Sequence, residues 1–333
     1  MSDSLAFITG TSGFIGAQVL ALALEEGYRA RLSVRREAQI ADIRSRYPDH
    51  ASKLEFVVIP DLTDLSALKD ALKGVEYIIH VASPMPSQTA TDLKKDYVDP
   101  AVKNTTNVLD AAAVTPTVKR VVITASALSV IPQGGLAKPG VVAEEGTNRN
   151  WKLDEDTANA DPSGFDKYYI SKLLAHRATL DWAEAHKSSS LEVASVLPSF
   201  VIGTDLTQKG LTLQGVNGYF WTSLGLEKLL ILPMVVDVRD VAAIHVRALK
   251  MKALTPGAVT EFIADGHHTT WEEILGFLKS KYPSVEIKLV APFPEAILSD
   301  TTRAERDLGI KWHAVSDLVS SVMDQQLEKQ AKV

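Results

Sequence analysis

Short apolar runs alternate with helical patterns through the first two hundred residues, and few architectures accept that rhythm. Runs at 5–9, 28–34, 54–59, 75–81, 118–125 and 191–197 predict strands, and the stretches 14–26, 37–46, 64–72 and 92–114 predict amphipathic helices between the first five. Such alternation builds a parallel sheet covered on both faces. Tyr77-Ile78-Ile79 and Val121-Val122-Ile123 are apolar at every position rather than at alternate ones, which predicts central strands. The expected class is α/β, a doubly wound parallel sheet. After Pro198 the composition changes. Residues 203–235 carry Leu206, Leu211, Tyr219, Phe220, Trp221 and Leu224 among glycines and predict an irregular apolar lobe, followed by a helix at 240–252, a strand at 259–264 and helices at 271–281 and 314–328. The expected organisation is interleaved: residues 1–202 with 235–265 form the sheet domain, and 203–234 with 266–333 form a smaller lobe.

The first strand runs into Thr9-Gly10-Thr11-Ser12-Gly13-Phe14-Ile15-Gly16 and then a helix. A strand turning sharply into a helix needs residues free of Cβ clashes, and the helix's unpaired N–H groups and positive dipole end face a bound anion. In this context the turn predicts a dinucleotide pyrophosphate site, hence a Rossmann fold. A chain that binds NAD places an acid at the end of the second strand, to meet the ribose hydroxyls. Here that position reads Leu32-Ser33-Val34-Arg35-Arg36. A guanidinium pairs bidentately with a 2′-phosphate that a carboxylate would repel, so NADPH is expected over NADH, with Arg35 on the phosphate and Arg36 auxiliary. Asp61-Leu62, closing the third strand, would meet the adenine edge. The competing use is a helix N-cap made by Asp61, Thr63 or Asp64.

The absence of cysteine removes disulfides, thiolate metal sites and cysteine nucleophiles. The net charge of −6 argues against a general nucleic-acid or anionic-membrane surface. No run of eighteen apolar residues and no basic leader occurs, so the expectation is a cytoplasmic protein acting on a small molecule. Eight histidines make no H-E-x-x-H or similar zinc spacing, and neither a G-x-S-x-G elbow nor a G-x-x-x-x-G-K-[ST] loop occurs. No metal is expected.

Tyr168 and Lys172 stand four residues apart, stacked on one face of a helix starting near Asp166. A phenol gives up its proton near neutral pH only where a cation stabilises the phenolate, and Lys172 supplies one. The fifth strand ends in Thr124-Ala125-Ser126, which puts the Ser126 hydroxyl at the carboxyl edge of the sheet, where it can donate to a substrate carbonyl. Ser129 is the competing hydroxyl. Residues 126–166, broken by Pro132, Gly134, Gly135, Pro139, Gly140, Gly146, Pro162 and Gly164, are too long for a plain connector at that edge.

Thr9-Gly10-x-x-Gly13-x-x-Gly16, Val34-Arg35, His80-Val81-Ala82-Ser83-Pro84, Thr124-Ala125-Ser126, Tyr168-x-x-x-Lys172 and Pro198-Ser199-Phe200-Val201-Ile202-Gly203 occur in the order and spacing of the extended short-chain dehydrogenases/reductases. The chain most resembles their dihydroflavonol-4-reductase and cinnamoyl-CoA-reductase-like group, which includes fungal NADPH-dependent aldehyde, ketone and methylglyoxal reductases. Thr302-Arg303 and Leu308-Gly309-Ile310 match its C-terminal pattern. The resemblance implies that Ser126 binds the carbonyl, that Tyr168 protonates the nascent alkoxide, and that Lys172 holds the nicotinamide ribose while stabilising the phenolate. It places the cofactor against Gly10, Ser12, Gly13, Phe14, Ile15, Gly16, Arg35, Arg36, Asp61, Leu62, Val81, Ala82, Ser83, Thr124, Pro198 and Val201 as well as Tyr168 and Lys172. The carbonyl substrate, apolar to moderately polar, would be lined by Pro84, Met85, Ile131, Pro132, Gln133, Phe165 and either Tyr219 or Trp221. Lys103-Asn104 stands where relatives show Asn-Gly, so a proton-relay asparagine is not carried over, and Ala125 replaces a commoner serine. Two other readings share these motifs: a nucleotide-sugar epimerase or dehydratase that retains NAD, and a non-catalytic NADPH sensor. Arg35-Arg36 speaks against the first, and the presence of both Tyr168 and Lys172 against the second. A monomer or a homodimer is expected.

Overall fold

The computed structural model describes residues 4–84, 90–138, 140–161, 163–252, 255 and 257–332. Seven parallel strands form the central sheet: β1 (Leu5–Thr9), β2 (Arg29–Val34), β3 (Leu54–Val58), β4 (Tyr77–His80), β5 (Arg120–Thr124), β7 (Glu192–Pro198) and β10 (Val259–Ala264). Their order is β10-β7-β5-β4-β1-β2-β3, so the direction of winding reverses between β1 and β4. In this class ligands bind at that switch, beyond the carboxyl ends of the strands. Outside the sheet, β6 (Val142–Ala143) pairs with β11 (Leu298–Ser299), and β8 (Phe200–Ile202) with β9 (Val235–Asp237).

The strands are apolar on both faces because helices cover both. Along β1, Ala6 and Ile8 enter one core while Leu5 and Phe7 enter the other. The first core is closed by α1 (Phe14–Glu25), α2 (Ala38–Arg46), α8 (Val238–Ala248) and α10 (Thr302–Leu308). The second is closed by α3 (Leu65–Ala71), α4 (Asp99–Ala113) and the C-terminal turns of α6 (Phe165–Ala185), which follows the short α5 (Glu155–Ala160). A third core joins α7 (Gly215–Leu224), α9 (Trp271–Lys281) and α11 (Val315–Gln330) around Phe220, Trp271 and Leu318.

The single helix expected over 92–114 is divided: a π-helical turn spans Leu93–Val98 and α4 begins at Asp99. Pro100 has no amide hydrogen, which suits the first turn of a helix and disrupts its interior. Asp64, rather than Asp61 or Thr63, caps α3, its carboxylate accepting from the Ser66 and Ala67 amides at 3.0 Å. The lobe expected to be irregular contains α7, and the long segment after Ser126 contains α5 and β6.

Candidate active site

The glycine turn separates into two kinds of position. Gly10 sits at φ +80°, and a β-carbon there would lie 2.7 Å from the Ala82 amide nitrogen. One on Gly16 would lie 2.2 Å from the Gly10 carbonyl oxygen. Both glycines are therefore demanded by the turn itself. Gly13 is different: its amide donates to the Gly10 carbonyl at 3.0 Å, and a β-carbon there would meet that oxygen at an ordinary 3.5 Å. Gly13 is the N-cap of α1 in extended conformation, no side chain caps it, and no acid stands in the first turn. The amides and positive dipole end of α1 thus face outward beside exposed Ser12, with Phe14 and Ile15 half-buried against the sheet.

At the end of β2, Arg35 and Arg36 are exposed, their backbone amides donating to Gln39 Oε1 at 2.9 and 3.2 Å. Neither guanidinium forms an ion pair among the described residues. Asp61 folds into an Asx turn, accepting from the Thr63 amide at 2.8 Å. That bond above all, helped by the Thr63 hydroxyl and the Arg35 charge, holds its carboxyl below the usual range. Leu62 beside it is buried.

The carboxyl ends of β4 and β5 meet α6. The Ala82 amide donates to Thr9 Oγ1 at 3.0 Å, and Thr9 Oγ1 lies 2.9 Å from His80 Nδ1. Burial, with the Lys172 charge nearby, depresses the His80 imidazole to about 4, so it is neutral. Lys172 Nζ donates to Ser83 Oγ at 2.8 Å and stands 5.5 Å from the centroid of the Tyr168 ring. Ser126 Oγ accepts the Leu128 amide at 3.3 Å, capping the turn Ala127–Val130. Ser129, fully buried, donates to the Lys172 carbonyl at 3.2 Å, so its hydroxyl fastens that turn to α6, and Leu128 packs in one cluster with Tyr168. Tyr169 points the other way: it is buried and its hydroxyl donates to the Ile131 carbonyl at 2.6 Å. Tyr168 is half-buried.

Thr124 Oγ1 lies 2.7 Å from His245 Nε2, and His245 Nδ1 donates to the Val241 carbonyl at 2.7 Å. His245 is therefore the acceptor of the Thr124 hydroxyl, and the bond ties the end of β5 to α8. Pro198 ends β7 and Val201 is buried in β8. Among the residues expected along the substrate path, Pro84 is half-buried and Met85 lies outside the described residues. Ile131 is fully buried, and the Gln133 side-chain amide is spent on Asp154, accepting from its backbone N–H at 2.8 Å and donating to its carbonyl at 3.0 Å. Pro132 is half-buried beside them, Phe165 and Tyr219 are 41% and 55% exposed, and Trp221 packs against the α7/α9/α11 core. Lys103 is exposed on α4 and Asn104 buried.

Sequence reasoning missed the pair His176–Glu261, whose Nε2 and Oε1 lie 2.6 Å apart in the interior. Its one local signal is that His176 falls four residues after Lys172 on the same face of α6. No group of three or more His, Asp or Glu side chains able to hold a metal occurs among the described residues, and no helix among them is long and apolar enough to cross a membrane.

The sequence profile of the NAD dependent epimerase/dehydratase family matches residues 6–259, from the first strand of the sheet into the last. The chain belongs to this family. A ketoreductase of Aspergillus fumigatus, sphI, is 33% identical over 98% of this chain and 99% of its own length. Aldehyde reductase 2 of Sporidiobolus salmonicolor is 28% identical over 88% and 84%. Among solved structures, the yeast methylglyoxal/isovaleraldehyde reductase Gre2, complexed with NADPH, superposes with a TM-score of 0.85 at 22% identity, covering 99% of this chain and all of that one. The UDP-glucose-4-epimerase of Stenotrophomonas maltophila, with NAD bound, gives 0.74 at 17% identity, covering 99% and 100%. A reductase and an epimerase thus share this fold.

Proposed function

We propose that the chain is an NADPH-dependent carbonyl reductase that turns an aldehyde or ketone into an alcohol. The observation that carries the reading is the grouping at the carboxyl edge of β4 and β5: Tyr168 and Lys172 one turn apart, Lys172 tied to Ser83, and the Ser126 turn fastened to the same helix through Ser129. The ketoreductase and aldehyde reductase names of its relatives point the same way. The residues present fit the cofactor. Gly13 leaves the uncapped start of α1 open to a pyrophosphate, and Arg35 and Arg36 offer guanidiniums without ion pairs to a 2′-phosphate. Asp61, Leu62 and Val81 to Ser83 would flank the adenine and ribose, with Thr124, Pro198 and Val201 near the nicotinamide. NADPH supplies the hydride when bound.

The chain's own residues do the rest. Ser126 donates a hydrogen bond to the carbonyl oxygen and orients it. Tyr168 gives its phenolic proton to that oxygen as negative charge develops there. Lys172 stabilises the phenolate by charge and, held by Ser83, stays aligned with it. Substrate would approach past Pro84, Pro132 and Phe165 and, from the lobe, Tyr219 or Trp221.

The test is NADPH absorbance followed against a panel of aldehydes, diketones, ketoesters and flavonoid-like ketones. Turnover on the panel, lost in Tyr168→Phe with NADPH binding retained, is expected. An active Tyr168→Phe enzyme overturns the role of the tyrosine. Tightly bound NAD in the purified protein would favour the epimerase or dehydratase reading, and firm NADPH binding with no turnover a sensor.

A further inference from the structure

The segment that leaves β8 at Ile202 does not stay at that end of the sheet. Its tip meets α2, the helix that follows Arg35 and Arg36. Side chains from two other helices fasten its backbone. Asn217 of α7 accepts from the Gly203 amide at 3.1 Å and donates to the Gly203 carbonyl at 2.7 Å. Gln325 of α11 makes the same reciprocal pair with Asp205, at 2.8 and 2.9 Å. Gln326 donates to the Leu211 carbonyl at 2.8 Å and Lys329, one turn on, to the Gln208 carbonyl at 3.0 Å.

Between these anchors the Lys209 side chain reaches the other way. Its Nζ lies 2.7 Å from Asp42 Oδ1 on α2, and Asp42 also pairs with Arg46 at 3.2 Å. The side chains of Lys209 and Asp42 are 75% and 37% exposed. An ion pair so open to water contributes little to stability, and α7 and α11 hold the segment without it. What the pair fixes is a position. Gln39, whose Oε1 accepts from the Arg35 and Arg36 amides, stands three residues before Asp42 and so on the same side of α2. Lys209 thus brings a cation from beyond β8 to the helix where the Arg35 and Arg36 guanidiniums already stand exposed. The carboxylates of α2 and its N-cap are Asp42 and Glu37.

We propose that Lys209 is a third cation for the 2′-phosphate of NADPH, and that Asp42 holds it in place until the phosphate becomes its partner. This rests on the NADPH reading above. A carboxylate carries one negative charge, whereas a phosphate monoester at neutral pH carries close to two and offers three strong acceptor oxygens, so the ammonium gains by the exchange. Arg35 and Arg36 would meet the phosphate from the end of β2, and Lys209 from the segment after β8. NADH lacks the 2′-phosphate and would leave Lys209 on Asp42. The segment that begins two residues after Val201 would then touch the far end of the dinucleotide as well, and discrimination between the two cofactors would draw on residues far apart in the chain.

Lys209→Met keeps most of the side chain's length and removes its charge. In a fluorescence titration its NADPH Kd is expected to rise about fivefold, the upper end for an exposed ion pair, with NADH Kd and Tm unchanged. Asp42→Asn removes the competing carboxylate and is expected to act in the opposite direction, lowering the NADPH Kd about threefold. The difference between wild-type protein and Lys209→Met should shrink at high salt, as an exposed charge interaction does. If the pair is only a latch on the segment, both substitutions weaken NADPH and NADH binding alike, and that result overturns the proposal. So does a wild-type preference for NADPH that Lys209→Met leaves intact. Wild-type protein that binds NADH as tightly as NADPH overturns the cofactor reading itself, and the role of Lys209 with it.

Discussion

A β-carbon on Gly16 would lie 2.2 Å from the Gly10 carbonyl oxygen, whereas one on Gly13 would meet that same oxygen at 3.5 Å. Alanine at 16 must push backbone against backbone, and Gly16→Ala is expected to destabilise the protein by about 3 kcal/mol, read as a lower Tm. Gly13→Ala is expected to change stability by less than about 1 kcal/mol, the scale of an N-cap preference, while weakening NADPH binding in a fluorescence titration. If both variants lose stability equally, the division between folding and binding glycines is wrong. The adjacent tyrosines give a second contrast. Tyr169→Phe leaves the buried Ile131 carbonyl without its partner and is expected to cost about 1–3 kcal/mol with turnover retained, the reverse of what Tyr168→Phe should do.

Elements were legible where they repeat a period and blurred where a single cap or proline sets the boundary. Tyr77-Ile78-Ile79 and Val121-Val122-Ile123 read as central strands because helices on both faces of β4 and β5 require apolar residues at every position. The division of 92–114 was not legible as such, although Pro100 marks the place where amide donors run out. Some helix starts follow side-chain oxygens, among them Asp64 for α3, Asp237 for α8 and, for α9, a full capping box between Thr270 and Glu273. Thr270→Ala is expected to destabilise by about 1 kcal/mol in chemical denaturation without altering NADPH binding, since α9 belongs to the third core, away from the glycine turn. A loss of binding would show instead that α9 is coupled to the cofactor cleft.

Across the whole molecule, two neutral histidines brace the sheet from opposite sides, His80 through Thr9 and His245 through Thr124, both depressed to about 4 chiefly by burial. The unfolded chain protonates these rings near 6.5 and the folded one does not, so each removes stability as pH falls from about 6.5 to about 4. Glu145, pushed up to about 7 chiefly by burial, acts oppositely, its contribution present below about 4.5 and lost as pH rises towards 7. Asp166, Asp240 and Asp265, raised chiefly by burial, act with Glu145. The expectation is therefore comparative: Tm of His245→Gln should rise less, or fall more, between pH 4 and 6.5 than that of the wild-type protein. The candidate site divides in the same way as the fold. The strand rhythm, the glycine turn, Arg35 and the Tyr168–Lys172 spacing were fixed by sequence alone, because each depends on neighbours within a turn of helix or a single strand end. Only the tertiary structure decided that the Ser129 hydroxyl is spent on the Lys172 carbonyl, that Thr124 answers to His245, and that His176 faces Glu261 across 85 positions of chain. Such pairs arise from how layers pack on one another, and no periodicity in the chain carries that register.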